Sequence, residues 1–182
     1  MESSNPAELV RPLLRVRQTR EFTDEPVDPA ALGAIADAAR WSGSSTNSQP
    51  WRFVIIRDPA TLRAIHEAGL PQTRSLGTAP AAVAIVLPVQ PGRGVTHGYD
   101  EGRAAERILI AASMLGLGAG IAWIGSDARP TVSELLELPD DRFVRTIAAI
   151  GHPSEKARRP KSARGEARRP REETVFQERW PA

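Results

Sequence analysis

The sequence has no cysteine, few histidines and no long apolar run, and each shortage excludes a class of function. Without cysteine there is neither a disulfide scaffold nor thiol chemistry. His66, His97 and His152 are scattered, and no pair has the spacing of metal ligands, so a zinc enzyme is not expected. No stretch approaches the roughly 18 apolar residues of a transmembrane helix. The first residues also lack the basic and apolar regions of a secretory signal, so the default expectation is a cytoplasmic protein.

Charge is distributed unevenly along a chain whose 182 residues predict one domain, 1–182, with a sizeable core. The net charge is +2, but residues 152–171 contain eight Lys or Arg against two Glu. That stretch therefore carries +6 and the remainder of the chain −4. A solvated loop and an anion-binding segment both remain open for the basic C-terminal segment, 152–182. Aromatic residues on which nucleic-acid bases could stack are not interleaved with its arginines.

Hydrophobic periodicity and capping residues predict alternating helices and strands. The predicted helices cover residues 9–20, 28–41, 60–67 and 100–115, with a fifth that starts at 127 or 131 and ends near 138. The predicted strands cover residues 51–57, 81–87, 121–124 and 143–150. Asp-Pro pairs at 28–29 and 58–59 place an N-cap and a first-turn proline before two of the helices. The pattern by itself does not settle the order of the strands.

The loop at residues 44–51, Ser-Ser-Thr-Asn-Ser-Gln-Pro-Trp, is the most informative stretch. Asn47 and Gln49 each carry a hydrogen-bond donor and an acceptor, and Pro50 stiffens the chain before the strand that follows. An amide pair held in this way suits the edge of a planar heterocycle that presents both donors and acceptors.

Other motifs narrow the chemistry by what they exclude. The glycine run at 116–120 follows a predicted helix and precedes a strand, which is the reverse of a dinucleotide-binding fingerprint, so helix capping and a tight turn are expected there. The sequence contains no phosphate-binding Walker lysine pattern and no G-x-S-x-G nucleophile elbow. What remains is chemistry carried by a cofactor, for which the protein supplies orientation and electrostatics.

Two segments together resemble the flavin-dependent nitroreductase family. The loop at 44–51 matches the family's S-S-x-N-x-Q-P-W signature, and residues 15–22, Arg-Val-Arg-Gln-Thr-Arg-Glu-Phe, resemble its opening R-[RH]-S-x-[RK]-x-F motif. The resemblance implies that Arg17 and Gln18 contact the phosphate and ribityl chain of FMN. It implies that Arg20 faces the N1–C2=O edge, where reduction places negative charge. Val16 and Gln18 depart from the family pattern, which puts the strength of flavin binding in question.

The remaining residues that the resemblance assigns to FMN are Arg15, Ser44, Ser45, Asn47, Gln49, Gly125, Arg168 and Arg169. Arg15 would compensate for Val16. The loop that begins at Ser44 would come from the partner subunit and pack on the isoalloxazine. The backbone N–H of Gly125 would reach flavin N5, with Arg20 as the second group close to the chemistry. The basic pair at 168–169 would bind the FMN phosphate.

The resemblance further implies an α+β fold, a three-layer α/β/α sandwich with a central mixed sheet in an intertwined homodimer. The activity implied is ping-pong transfer of hydride from NADH or NADPH through flavin N5 to a nitroaromatic or a quinone. Three alternatives remain: a dehalogenase or flavin-destructase of the same fold, a nucleic-acid-binding protein that uses the Arg-rich tail, and a flavin-binding protein without turnover. The sequence does not distinguish NADH from NADPH, or FMN from a deazaflavin.

Overall fold

The computed structural model describes residues 5–159, 162 and 168–180. The α-helices are α1 (Pro6–Val10), α2 (Pro29–Arg40), α3 (Pro59–Ala68), α4 (Gly94–Met114), α5 (Arg129–Leu135) and α6 (Glu155–Arg158). The strands are β1 (Arg52–Ile56), β2 (Ala81–Pro88), β3 (Gly118–Trp123) and β4 (Arg142–Gly151). Short 3₁₀ turns cover Leu13–Arg15, Ser45–Asn47, Arg74–Gly77 and Arg171–Glu173.

The four strands form one sheet in the order β1-β2-β4-β3. All three strand pairings are antiparallel. Parallel pairing among the described residues is limited to a single bridge between Gln18 and Ala119. The predicted α+β class is therefore confirmed. The expected sheet contained both parallel and antiparallel strand pairs, whereas the four strands of one chain pair only in the antiparallel direction.

Alternation of side chains along the strands builds two cores, one on each face of the sheet. On β2, Val83 and Ile85 point into the core shared with α2 and α4, while Ala82 and Ala84 point into the core shared with α3 and α5. Because both faces are covered, β2 is buried over residues 81–87 and reads as the continuous apolar run seen in the sequence. The three predicted layers are thus present.

The two Asp-Pro helix starts form as predicted. The Asp28 carboxylate accepts a hydrogen bond from Ala30 N–H at 2.8 Å, and the Asp58 carboxylate accepts from Thr61 N–H at 2.8 Å. These contacts satisfy N–H groups that have no partner in the first turn of a helix.

Two predicted helices differ from the observed ones. The helix expected over 9–20 is only α1 and a 3₁₀ turn, and from Val16 the chain is extended because it runs along another element, described below. Helix α4 begins at Gly94, six residues before the predicted start. Within the described residues, no helix is long and apolar enough to span a membrane.

Candidate functional site

The segment from Gln18 to Arg20 lies along the outer edge of β3. Thr19 N–H donates to the Ala119 carbonyl at 2.8 Å, and Gln18 Oε1 accepts from Ile121 N–H at 2.9 Å. An edge strand leaves a row of backbone groups without partners, and this segment satisfies part of that row. The predicted flavin-binding segment is therefore fixed to the sheet through its backbone and through the Gln18 amide.

Two glycines of β3 make this close approach possible. A Cβ on Gly120 would lie 1.9 Å from the Thr19 carbonyl oxygen, and a Cβ on Gly118 would lie 2.5 Å from Thr19 Oγ1. The expected role of the glycine run, capping a helix, holds for Gly116, which has a φ of +74° just after α4. Gly118 and Gly120 serve a different purpose, because Gly120 admits the backbone of Thr19 and Gly118 admits its side chain.

Arg20 lines a cleft of about 330 Å³ beside β3. Ile121 and Trp123 form an apolar wall, and Trp123 is 47% exposed. Arg74 lines the same cleft. Within the described part of the chain neither arginine has an acidic partner, so the cleft holds two uncompensated positive charges next to an indole.

Arg74 is a candidate that sequence reasoning missed. It lies in the 3₁₀ turn Arg74–Gly77, inside a stretch that the sequence describes only as a loop. Its place is fixed by buried neighbours, since Leu76 is 2% exposed and packs in the core on the α3 face. A single arginine in an irregular segment carries no periodic signal, so only the folded arrangement brings it to Arg20.

Gly125, the predicted N5 donor, lies two residues beyond the end of β3, roughly 7 Å along the strand direction from Trp123. Its carbonyl accepts from Ala128 N–H and Arg129 N–H, both at 3.1 Å. Its N–H has no hydrogen-bond partner among residues 5–159, 162 and 168–180. A donor free at the same strand edge as the Arg20 cleft is what the predicted role requires.

The Trp123 indole packs against Arg145, which forms an ion pair with the buried Glu101. The Arg145 guanidinium lies 5.5 Å from the centroid of the Trp123 ring, within cation–π range. Arg145 Nε donates to Glu101 Oε2 at 2.7 Å, and the Glu101 side chain is 4% exposed. The wall of the cleft is therefore connected to α4 through β4.

The loop Ser44–Trp51 has an unusual backbone. Thr46, Asn47 and Gln49 all have positive φ, between 45° and 55°. Gln49 N–H donates to Ser44 Oγ at 2.8 Å, and Gln49 Nε2 donates to Asn47 Oδ1 at 3.2 Å. Left-handed residues other than glycine are strained and concentrate at functional sites, so the two amides are held together at a measurable conformational cost.

Helix α4 anchors this loop through a carboxylate that sequence reasoning did not single out. Ser45 N–H donates to Asp100 Oδ1 at 3.0 Å, and Asp100 is 2% exposed. Gly43 also lies against Arg103 of α4, because a Cβ there would lie 2.2 Å from a guanidinium nitrogen. The loop does not line the Arg20 cleft of its own chain, so one chain does not bring the two predicted halves of the flavin site together.

The other predicted phosphate ligands are exposed. Arg15 ends a 3₁₀ turn, Arg17 lies in the extended stretch after it, and Arg168 and Arg169 lie near the C-terminus. None of the four lines the Arg20 cleft. Part of the basic tail, including Lys161 and Arg164, lies outside the described residues.

The described residues contain no cluster of three or more His, Asp or Glu that could hold a metal ion. Hydrogen bonds from the Thr61 side chain and backbone hold the pKa of Asp58 below its ordinary value of 3.8, and this residue is the cap of α3, remote from the cleft.

Comparison with known proteins agrees with the geometry. The model of the Nitroreductase family matches residues 15–89. The chain is 29% identical over 153 residues to NADH dehydrogenase of Thermus thermophilus, which covers 80% of this chain and 74% of the relative. It is 28% identical over 168 residues to 5,6-dimethylbenzimidazole synthase of Rhodospirillum rubrum, with 76% and 79% of the two chains covered.

A solved structure with the same fold is that of an FMN-dependent nitroreductase from Clostridium difficile. It superposes with a TM-score of 0.80 at 22% identity, covering 93% of this chain and 98% of that one. The signature loop and the N-terminal arginine segment both fall inside the matched residues 15–89. The family-model match and the similarity to these relatives support the nitroreductase family for this chain.

Proposed function

We propose that this protein is a cytoplasmic, homodimeric, FMN-dependent oxidoreductase that passes hydride from NADH or NADPH to a small acceptor such as a nitroaromatic or a quinone. The observation that carries the proposal is the arrangement at the edge of β3. Two guanidinium groups and an indole wall line one cleft, and a backbone N–H lies just beyond it; none of the three donors has a partner among the described residues. A planar heterocycle that gains negative charge on reduction fits such a set of groups.

Each group fits one part of FMN. Arg20 and Arg74 would hold the N1–C2=O edge, because they carry positive charge without acidic partners among the described residues. Ile121 and Trp123 would pack against the ring system. The N–H of Gly125 would donate to N5. Arg15, Arg17, Gln18, Arg168 and Arg169 are the residues proposed for the ribityl phosphate.

Bound FMN would supply the redox chemistry, accepting hydride at N5 from the nicotinamide and delivering it to the acceptor in a ping-pong sequence. The protein's own contribution is electrostatic. Preorganised positive charge stabilises negative charge that develops during reaction, and it does so more strongly once water is excluded. Arg20 is exposed in the single chain, so the effect depends on what covers the cleft.

A second copy of the chain is the proposed cover. The loop with Asn47 and Gln49 lies away from the Arg20 cleft of its own chain, yet its backbone is already held in a strained, ordered form. Large apolar side chains are also exposed at both termini and at the end of α4: Leu14 is 78%, Met114 81% and Trp180 82% exposed. Burial of these surfaces in an intertwined homodimer would bring the loop of one chain to the cleft of the other.

The first test is flavin binding by the purified protein. We expect a yellow protein, or an apoprotein that takes up added FMN with quenching of flavin fluorescence, and rapid bleaching of the flavin bands by NADH or NADPH in anaerobic stopped flow. Titration with each nicotinamide and with a deazaflavin resolves the cofactor choice. A colourless protein that does not take up FMN would overturn the proposal.

The dimer has a separate test. Truncation before Glu172 removes the exposed C-terminal segment that contains Trp180. We expect the full chain to be a dimer by light scattering. The truncated chain should dissociate into monomers at protein concentrations at which the full chain is still a dimer. An unchanged dimer would contradict a role for this segment in assembly.

A second candidate function is oxidative destruction of the flavin itself. The 28% identity to 5,6-dimethylbenzimidazole synthase favours considering it. Reduced FMN would be incubated with the protein and oxygen, and the products separated by chromatography. Formation of 5,6-dimethylbenzimidazole would support this function, whereas recovery of intact FMN would leave the reductase as the proposal.

A further inference from the structure

In the peptide that links Ile124 to Gly125, the carbonyl accepts a hydrogen bond, whereas the N–H donates none to another described residue. The Ile124 carbonyl accepts a long hydrogen bond, 3.4 Å, from Arg129 Nε. The N–H of the same peptide, which belongs to Gly125, has no partner among residues 5–159, 162 and 168–180. Because a trans peptide is planar and its C=O and N–H point in opposite directions, a donor on the carbonyl side fixes the direction of the N–H.

The peptides on either side of this one are also held. Ile124 N–H donates to the Arg145 carbonyl at 2.8 Å, which continues the pairing of β3 with β4. The Gly125 carbonyl accepts from Ala128 N–H and Arg129 N–H at 3.1 Å, which starts α5. The peptides before and after Ile124–Gly125 are therefore both held by backbone hydrogen bonds, whereas the Gly125 N–H has no acceptor among the described residues.

The Arg129 side chain is itself held in place. Its guanidinium lies 5.4 Å from the centroid of the Phe143 ring, within cation–π range. It forms no ion pair within the described part of the chain, so its charge is not neutralised by a carboxylate. The Asp127 carboxylate lies beside Gly125 in the same turn, since a Cβ on Gly125 would lie 2.5 Å from Asp127 Oδ1.

We propose that Arg129 is a positioning residue that orients and polarises the Ile124–Gly125 peptide, so that the Gly125 N–H becomes a stronger donor to a ring nitrogen of the bound cofactor. A charged donor on a carbonyl draws electron density from the peptide, and chains of hydrogen bonds strengthen one another in this way. The inference rests on the proposed function only for the identity of the acceptor, flavin N5. The orientation and polarisation of the Ile124–Gly125 peptide are properties of the protein without cofactor.

The variants are Arg129→Gln, which removes the charge, and Arg129→Lys, which keeps it on a different donor. Arg40→Met is the control, because Arg40 also lies over an aromatic ring, 5.7 Å from the centroid of the Trp41 indole, but on α2. Two readouts are used: the Gly125 amide resonance and its hydrogen exchange by NMR in the apoprotein, and FMN affinity with the flavin midpoint potential in the loaded protein.

We expect Arg129→Gln to shift the Gly125 amide resonance, to lower FMN affinity about fivefold as for one ordinary hydrogen bond, and to change the flavin midpoint potential. Arg129→Lys should restore part of each change, and Arg40→Met should change none. An unaltered Gly125 resonance and an unaltered potential in a folded Arg129→Gln protein would overturn the inference.

Failure of the proposed function and failure of the variant to fold can each be distinguished from failure of this inference. If the wild-type protein binds no flavin, the proposed function fails, while the Gly125 resonance in the apoprotein still decides the role of Arg129. If Arg129→Gln does not fold, exchange of the Arg129 Nε–H is measured in the wild-type protein. It should be slower than exchange at Arg74, whose side chain has no recorded partner among the described residues. Equal exchange rates would overturn the inference.

Discussion

The middle strands β2 and β4 and the edge strand β3 have opposite requirements. Residues 81–87 of β2 and 146–151 of β4 are buried, with aliphatic side chains filling both faces. Strand β3 starts Gly-Ala-Gly, and it uses the absence of side chains to let the backbone of residue 19 approach. The middle of the sheet therefore supplies stability, and its edge supplies a fixed arrangement of backbone groups and arginines. The chemistry proposed for this protein depends on the second region.

The largest expected effect is in the middle of the sheet. Ile147 of β4 is 0% exposed in the core that faces α3 and α5, so Ile147→Ala should lower the free energy of unfolding by about 2–5 kcal/mol through lost burial and a cavity. Denaturant unfolding measures the change. FMN affinity of the protein that remains folded should be unchanged. A large loss of affinity with little loss of stability would break the proposed division between the two regions.

A smaller change in stability with a larger change in binding is expected at the edge. In Gly120→Ala the new methyl group would lie 1.9 Å from the Thr19 carbonyl oxygen, so the segment that carries Gln18 and Arg20 must move. Overpacking of this kind costs about 1–3 kcal/mol. We expect FMN affinity to fall by more than the loss of stability alone would produce.

Gly33→Ala is the matched control for that substitution. A Cβ on Gly33, inside α2, meets no atom within 4 Å. The control should raise stability by up to about 1 kcal/mol, since glycine in a helix interior is unfavourable relative to alanine. Equal flavin affinities in the Gly33→Ala and Gly120→Ala proteins would show that β3 does not need its glycine for the site.

The sequence predicts the middle of the sheet better than the edge because different kinds of contact determine them. The strand at 81–87 and the Asp-Pro starts of α2 and α3 depend on residues close in sequence, and all three are observed. The helix predicted over 9–20 fails at Val16, because the chain there pairs with β3 and leaves its own helical pattern. Local periodicity does not contain that long-range pairing.

The candidate site follows the same division. Arg20 and Gly125 were reached through motifs, and both lie along the edge of β3. Arg74 and Asp100 were missed, because one lies in an irregular turn and the other is a single acid at the start of a predicted helix. No sequence motif marks an arginine or an aspartate at these two positions as a site residue. Only the folded chain shows that Arg74 lines the same cleft as Arg20 and that Asp100 accepts a hydrogen bond from Ser45 N–H.

Within the edge region, Arg20 and Arg74 should affect the reaction more than the fold. Both are exposed, so replacement by alanine should change stability by less than about 0.5 kcal/mol. Each loss of positive charge at the N1–C2=O edge should slow flavin reduction by at least about tenfold, as for other groups that stabilise developing charge. Stopped flow with saturating nicotinamide measures the rate, and Arg63→Ala on α3 is an exposed-arginine control. Reduction at the wild-type rate in Arg20→Ala would remove its proposed role.

The smallest expected effect is a pH dependence at the N-terminus of α3, outside the cleft lining. Asp58 caps α3, and its pKa is lowered from 3.8, chiefly by the hydrogen bond from the Thr61 hydroxyl. A depressed folded-state pKa means that the cap contributes its full stability above 3.8 and loses it as the pH falls through the lower folded value. Asp58→Asn keeps a capping side chain that does not titrate, so its melting temperature should fall less than that of the wild type over this acidic range. FMN affinity should be the same in the two proteins at neutral pH, because Asp58 does not line the Arg20 cleft. Parallel melting curves for the two proteins at every pH would show that the Asp58 carboxylate does not contribute to the acid sensitivity of the fold.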